Sequence, residues 1–321
     1  MVLVHELSWS VSRAGTFAAC RRRYYLDYYL SWGGWSDDAP RERAQAYRLK
    51  KMTRLPMLAG DVLHQAIAEY FDRRSEGKAM TEEELFGMAV TGLRKGYKES
   101  RDGKGLWRDR PGKSVHLAEH HYREPCVDES GTAAAEYGRR FVERLQVGAR
   151  HFMNAPALAE LHQLGPADLV CVEGRAPGNR FHRGLPTIEL NGSTVFAIPD
   201  FAHRRGEEVV IYDWKSGSPR EQDEFQLAVY ALFARQTWGS DPERVVCVDA
   251  YLTGGEEREV RHTAAQIEEA EERIRVSMAE MEAVHFDADA SAGDPEAFPM
   301  VEEGSRECRQ CSYRELCGRG V

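Results

Sequence analysis

The sequence predicts an α/β fold, and three observations predict it. Short β-like runs follow one another from residue 168, a helix-patterned segment spans about Glu221 to Trp238, and a further strand-like run, VVCVDAYL, covers 245 to 252. Strand, strand, strand, helix, strand is the order of a sheet covered by helices. The chain has 321 residues, 42% of them hydrophobic, which is enough for a sizeable core.

Taken in order, residues 10 to 31 read as helical, with Phe17, Tyr24, Tyr25, Tyr28 and Tyr29 as an aromatic face interrupted by Arg21, Arg22 and Arg23. A polar, basic connection from Asp37 to Arg54 follows. Gly60 then opens an amphipathic helix, DVLHQAIAEYF, which carries His64. From Thr81 to His162 the pattern is mainly helical, around an irregular stretch from Asp102 to Pro125. The runs DLVCVEGR, PTIELN, STVFAIPDFAHRR and EEVVIYDWKSG, separated by turn signals at Asn191-Gly192 and Arg205-Gly206, suggest an antiparallel meander. A charged helix is expected from Thr263 to about Val284, and Ser291 to Gly304 reads as a linker. The expected division is 1–71 for the N-terminal helical part, 72–162 for a helical insertion, 163–290 for the α/β core, and 291–321 for the linker and cysteine-rich end.

The net charge of −9 (43 basic, 52 acidic residues) argues against a basic coat, so nucleic-acid binding would need local patches and metal ions. No apolar run approaches the roughly 18 residues of a membrane span, and no leader pattern is read at the N-terminus. A cytoplasmic protein with no membrane partner is the expectation. Seven cysteines, three of them in the last fourteen residues, do not resemble a disulfide framework and read better as metal or cluster ligation.

Asp200 ends one expected strand and Asp213-Trp214-Lys215 ends the next, so a tight turn would bring both carboxylates together. Residues two apart on a strand share a face, which points Asp213 and Lys215 into one site and Trp214 away. Hard carboxylate oxygens suit Mg²⁺ or Mn²⁺, and such ions promote phosphodiester hydrolysis. A lysine beside the attacking water can orient it and offset transition-state charge. An Asp-x-Lys by itself is more readily a solvated strand end carrying a surface salt bridge. Gln226 and Tyr230 lie on one face of the following helix, as on any ordinary helix. Near the C-terminus, Cys308, Cys311 and Cys317 lack only a fourth ligand; four thiolates would suit either Zn²⁺ or a [4Fe–4S] cluster. Cys171 and Cys247 read as small buried hydrophobes. Cys126 with His116, His120 and His121 reads as polar surface.

The order G-D-V-L-H64, I-P-D200, D213-W-K215 and Q226-L-A-V-Y230 resembles the RecB-like branch of the PD-(D/E)xK nucleases. The resemblance implies a restriction-endonuclease-like core with a mixed β-sheet flanked by helices. It assigns metal binding to His64, Asp200, Asp213 and the backbone carbonyl of Trp214, places Lys215 at the attacking water, and sets Gln226 and Tyr230 beside the DNA strand. The C-terminal cysteines resemble those of AddB-like and CRISPR-adaptation-type exonucleases, in which a remote N-terminal cysteine completes an iron–sulfur cluster. Cys20 matches that cysteine, although Arg21 stands where that family usually has proline. The implied function is a Mg²⁺- or Mn²⁺-dependent deoxyribonuclease acting on DNA ends or single strands in repair or antiviral defence. No motor motif is present, so a helicase partner would be a separate chain. Arg21, Arg22 and Arg23, interleaved with tyrosines, and Lys50 and Lys51 in the stretch Arg48 to Arg54 are the candidate DNA contacts, and equally read as basic residues snorkelling over an aromatic core helix. The competing reading is an inactive nuclease fold that only binds DNA or a partner, stapled by zinc or iron–sulfur.

Overall fold

In the computed structural model, residues 4–179 and 184–319 are described. The chain divides into two units, one formed by Met1–Leu55, Arg94–Ala135 and Ser277–Val321, the other by Pro56–Leu93 and Glu136–Val276. The strands are β1 (Ser8–Trp9), β2 (Leu169–Val172), β3 (Thr187–Leu190), β4 (Ser193–Phe196), β5 (Phe201–Arg205), β6 (Glu208–Lys215), β7 (Val245–Tyr251) and β8 (Glu256–Val260). The helices are α1 (Val11–Ala19), α2 (Arg21–Tyr25), α3 (Arg41–Lys50), α4 (Leu55–Ser75), α5 (Glu82–Asp102), α6 (Lys104–Asp109), α7 (Ala118–His121), α8 (Ala133–Asn154), α9 (Glu221–Thr237), α10 (Ala264–Glu282) and α11 (Arg306–Arg309). Among the described residues, no helix is long and apolar enough to cross a membrane.

The first unit packs around aromatic rings. Tyr29 stacks on Phe286 with centroids 4.4 Å apart, Tyr25 meets Phe298 at 5.2 Å, and Phe17 meets Tyr24 edge-on at 4.9 Å. Phe298, inside the stretch read as a linker, is 1% exposed, so that stretch is part of this core. The segment read as one helix breaks at Cys20, whose extended backbone (φ −164°) both ends α1 and caps α2; a π-helical turn, Leu26–Leu30, follows. The expected connection at 37–54 contains α3 instead. Arg41 is exposed and Arg43 and Arg48 are half-buried, while Ala46 and Leu49 are buried, too short an apolar stripe to stand out in sequence. His116, expected at the surface, is buried and stacks on Trp107 at 4.1 Å.

In the second unit a five-stranded sheet runs in the order β2-β5-β6-β7-β8. β5 and β6 form an antiparallel pair, turning at Gly206 with φ +63°, whereas β6 and β7 are parallel, as the intervening helix α9 requires. The sheet is therefore mixed. β3 and β4 form their own hairpin about Asn191 and Gly192 (φ +52° and +76°), so the antiparallel runs are not one continuous meander: β2 skips the hairpin to pair with β5. β8, a mostly exposed edge strand, was not anticipated. Cys171 and Cys247 are buried in β2 and β7. α4 starts at Leu55 and runs through Gly60 rather than opening there. A Cβ at Gly60 would lie 2.9 Å from Ser216 Oγ, so the helix packs closely against the residue that follows β6.

Candidate active site and four-cysteine cavity

The second unit gathers one polar cluster at the C-terminal end of β6. Strand alternation places Asp213 and Lys215 on one face, with Lys215 Nζ paired to Asp213 Oδ2. Trp214 turns the other way, 2% exposed, into a layer with Phe71, Phe201 and Tyr212. Asp200, just before β5, accepts the Trp214 backbone N–H at 2.7 Å through Oδ2, and the same oxygen lies 3.5 Å from His64 Nδ1 on α4. His64, Glu173 and Asp200 each offer a ligand atom, and these atoms lie within 4.8 Å of one another.

Glu173 was not anticipated. It follows β2 in a left-handed conformation (φ +49°), ahead of Gly174 (φ +69°), where a Cβ would meet Pro186 at 2.5 Å. Such strain in a non-glycine residue persists only where the surroundings enforce it. Here Arg175 makes a two-pronged pair with buried Asp72 of α4 at 2.9 and 2.7 Å, fastening this turn to the helix that carries His64.

Gln226 and Tyr230, one turn apart on α9, both address Asp213. Tyr230 is 4% exposed; its hydroxyl lies 3.0 Å from Asp213 Oδ1 and 2.9 Å from the Ile198 carbonyl, and it accepts from Gln226 Nε2 at 2.8 Å. Gln226 also donates to Asp213 Oδ1 at 3.2 Å and accepts from Lys215 Nζ at 2.9 Å. The two side chains thus clamp the acid and the lysine, and the tyrosine ring is buried rather than open to a strand. Asp249 on β7, directly across from Asp213 in the parallel register, and Asp223 on α9 are two more buried acids that were not anticipated.

The electrostatics are those of a place short of positive charge. Burial, and then the charge of Asp200, push both Glu173 and Asp213 above the usual carboxylate range. Burial pushes Asp249 up to about 6, with Lys215 pulling the other way. Burial alone would lower the His64 pKa, but Asp200, Glu173 and Asp213 outweigh it and lift it to about 9. Glu173 Oε1 is buried without a hydrogen-bond partner. An imidazole nitrogen beside hard carboxylate oxygens, one of them unpartnered, fits a divalent cation such as Mg²⁺ or Mn²⁺.

In the first unit, Cys20, Cys308, Cys311 and Cys317 line one cavity of about 400 Å³, including space open to solvent, together with Arg23, Arg314 and Arg319. Three of the four sulfurs accept N–H groups: Cys20 from Arg23 N at 3.4 Å, Cys311 from Tyr313 N at 3.4 Å, and Cys308 from Arg319 Nη1 at 3.3 Å. Burial pushes the Cys311 thiol up to about 11 and raises that of Cys317, against the pull of Arg23 and Arg22 respectively. The expected DNA contacts are mostly engaged within this unit. Arg22 Nε donates to the Phe298 carbonyl at 2.8 Å, Arg23 pairs with Asp27 at 3.6 Å, and Lys50 donates to the Asp27 carbonyl at 2.5 Å. Arg21 lies over Phe17 at 4.6 Å and Lys51 over Tyr47 at 5.3 Å. Cys126 belongs to no metal-ligating group among the described residues.

Comparison with known proteins gives one family. No curated protein matches the chain closely enough to serve as a relative. The family model of the PD-(D/E)XK nucleases, enzymes that use divalent metal ions, matches residues 8–318, nearly the whole chain. With a mixed sheet flanked by helices and an Asp-x-Lys at the end of its central strand, the chain belongs to the PD-(D/E)XK nuclease superfamily.

Proposed function

We propose that this protein is a Mg²⁺- or Mn²⁺-dependent deoxyribonuclease of the RecB-like branch, acting on DNA ends or single strands. The observation that carries the proposal is the convergence of His64, Glu173 and Asp200 beside the Asp213–Lys215 pair. His64, Glu173, Asp200 and Asp213, with the Trp214 carbonyl, would hold the cation. A divalent cation supplies charge neutralisation at the phosphate and makes a water easier to deprotonate. Lys215 presents its ammonium to the attacking water and offsets the charge that grows on the phosphoryl oxygens. Gln226 and Tyr230 fix the orientation of Asp213, and the Trp214 N–H fixes that of Asp200. DNA repair or antiviral defence in the cytoplasm, with a separate helicase or other defence proteins, is the setting we favour. Residues 72–162 would be a helical insertion.

The four cysteines would hold a [4Fe–4S] cluster as a structural staple. With Zn–S bonds of about 2.3 Å, tetrahedral zinc would set the thiolates roughly 3.8 Å apart. The four thiols are not so gathered, since the His64 group is the one set among the described residues with all ligand atoms within 4.8 Å. A cluster spans a wider opening, and N–H donors to three of the sulfurs suit its negative charge.

Cleavage of end-labelled single- and double-stranded DNA by anaerobically purified protein tests both readings, alongside Asp213→Ala and Lys215→Ala and with visible spectra of each preparation. Metal-dependent cutting lost in both variants, from a brown protein, is expected. A colourless wild type that binds DNA without cutting would establish instead a zinc-stapled binding module.

A further inference from the structure

Four acceptors, three of them carboxylates, surround the three N–H donors of the Lys215 ammonium. Its Nζ is paired to Asp213 Oδ2 and donates to Gln226 Oε1 at 2.9 Å, yet Asp223 Oδ1 is 3.5 Å away and Asp249 Oδ1 3.9 Å away. Asp249 is fully buried in a strand of apolar neighbours, and neither of its oxygens has a hydrogen-bond partner. Asp223 is 4% exposed. Its Oδ2 accepts from the Tyr251 hydroxyl at 2.9 Å and from Arg220 N at 2.8 Å, which leaves Oδ1 facing the lysine. A buried carboxylate without a bond is costly and calls for an explanation. Here two acids from separate elements, α9 and β7, converge on the same ammonium.

That explanation follows from what Asp213 must do under the function proposed above, on which this inference rests. An oxygen shared between an ammonium and a divalent cation would hold two positive centres within a few ångströms of each other, where their repulsion is strong. We infer that Asp223 and Asp249 form a second seat for the Lys215 ammonium, occupied when the Asp213 carboxylate turns to the divalent cation. A displacement of about 1 Å, small for a flexible four-carbon stem, brings Nζ into bonding distance of both acids. Asp223 and Asp249 are then positioning residues that act through Lys215, and the absence of a bond to Asp249 marks the seat before the lysine moves into it. The lysine remains beside the site in either seat, held by Gln226 in the first.

A mutant cycle read by Mn²⁺ binding tests this without relying on activity. Mn²⁺ affinity is measured by calorimetry on the full chain for wild type, Asp249→Asn, Lys215→Met and the double variant, with urea unfolding as the check on folding. Removing the second seat leaves Lys215 on Asp213, in competition with the ion, so Asp249→Asn is expected to weaken Mn²⁺ binding about tenfold. In the Lys215→Met background the same change is expected to shift affinity less than about twofold. An equal loss in both backgrounds would mean that Asp249 acts on the ion by its charge alone, and no loss in either would mean that it does nothing there; each overturns the inference. If Asp249→Asn does not fold, the same cycle with Asp223→Asn decides. Asp200→Asn separates the levels: if it leaves Mn²⁺ affinity unchanged, the cation site itself is wrong and the seat falls with it, whereas its loss alongside an unaffected Asp249→Asn overturns the seat alone.

Discussion

Tyr230→Phe removes one oxygen and nothing else. The ring is 4% exposed and keeps its packing, but Asp213 Oδ1, the Ile198 carbonyl and Gln226 Nε2, at 3.0, 2.9 and 2.8 Å, share the loss of the hydroxyl. A hydrogen bond to a charged acceptor is worth about 1.5–3 kcal/mol, and groups left unsatisfied in the interior cost about as much, so we expect unfolding free energy to fall by about 2 kcal/mol. Asp213 also loses the contact that fixes its direction. Partners of this kind are worth about 10–100-fold in metal affinity or activity, and a loss in that range is expected in single-turnover cleavage. The assays are urea unfolding and single-turnover cleavage over an Mn²⁺ titration, run beside Tyr230→Ala. A tyrosine that served DNA by stacking would tolerate Phe and fail with Ala. Wild-type cleavage and stability in Tyr230→Phe would refute the clamp and return the residue to the strand.

Three further outcomes are expected. Arg175→Ala removes the two-pronged partner of the buried Asp72 carboxylate, which keeps the Gly178 N–H at 3.3 Å, and should lower stability in urea unfolding while weakening Mn²⁺ binding because the Glu173 turn is released. Arg140 and Arg144 lie one turn apart on α8, neither in an ion pair among the described residues, and Arg144 donates to the carbonyl of Ser216, next to Lys215. Replacing either by Ala should weaken single-stranded DNA binding, measured by anisotropy across a salt series, and lower the salt slope by about one. Cys20→Ala should strip the visible absorption from anaerobically purified protein; an unchanged spectrum would remove Cys20 from the ligand set.

Much of the second unit was legible because its strands are short and rich in β-branched residues, and because the Asp213-x-Lys215 spacing puts both side chains on one face of a strand. The i, i+4 spacing of Gln226 and Tyr230 was equally plain, but their target was not: a helix face declares which residues travel together, not what they meet across the sheet. Glu173, Asp223 and Asp249 escaped for different reasons. Glu173 depends on a left-handed backbone that only a Glu-Gly pair after an apolar run hinted at. Asp223 looks like any acid in the first turn of a helix. Asp249 did leave a signal, since a lone carboxylate inside the wholly buried run VVCVDAY has to face something polar. α3 was missed because a helix that buries little more than Ala46 and Leu49 has almost no hydrophobic period to detect.

The same acids bear on how a chain of net charge −9 approaches a polyanion. Two carboxylates about 4 Å apart repel by about 4 kcal/mol at an effective dielectric of 20, and burial among such neighbours raises the pKa of Glu173, Asp213 and Asp249. The protonated His64 and the Lys215 ammonium supply positive charge among them in the metal-free protein, and the lifted pKa of His64 is the measure of the demand. At about 0.1 M salt, charges more than about 10 Å away are screened. The overall acidity therefore neither steers nor repels a strand once it has arrived. Under the proposed function a phosphate would meet the local balance: a divalent ion held by His64 and its neighbouring acids, the Lys215 ammonium among its acids, and arginines on α8. With a cation in that site, an acidic surface would favour phosphates that reach the metal, where a basic coat would hold them anywhere.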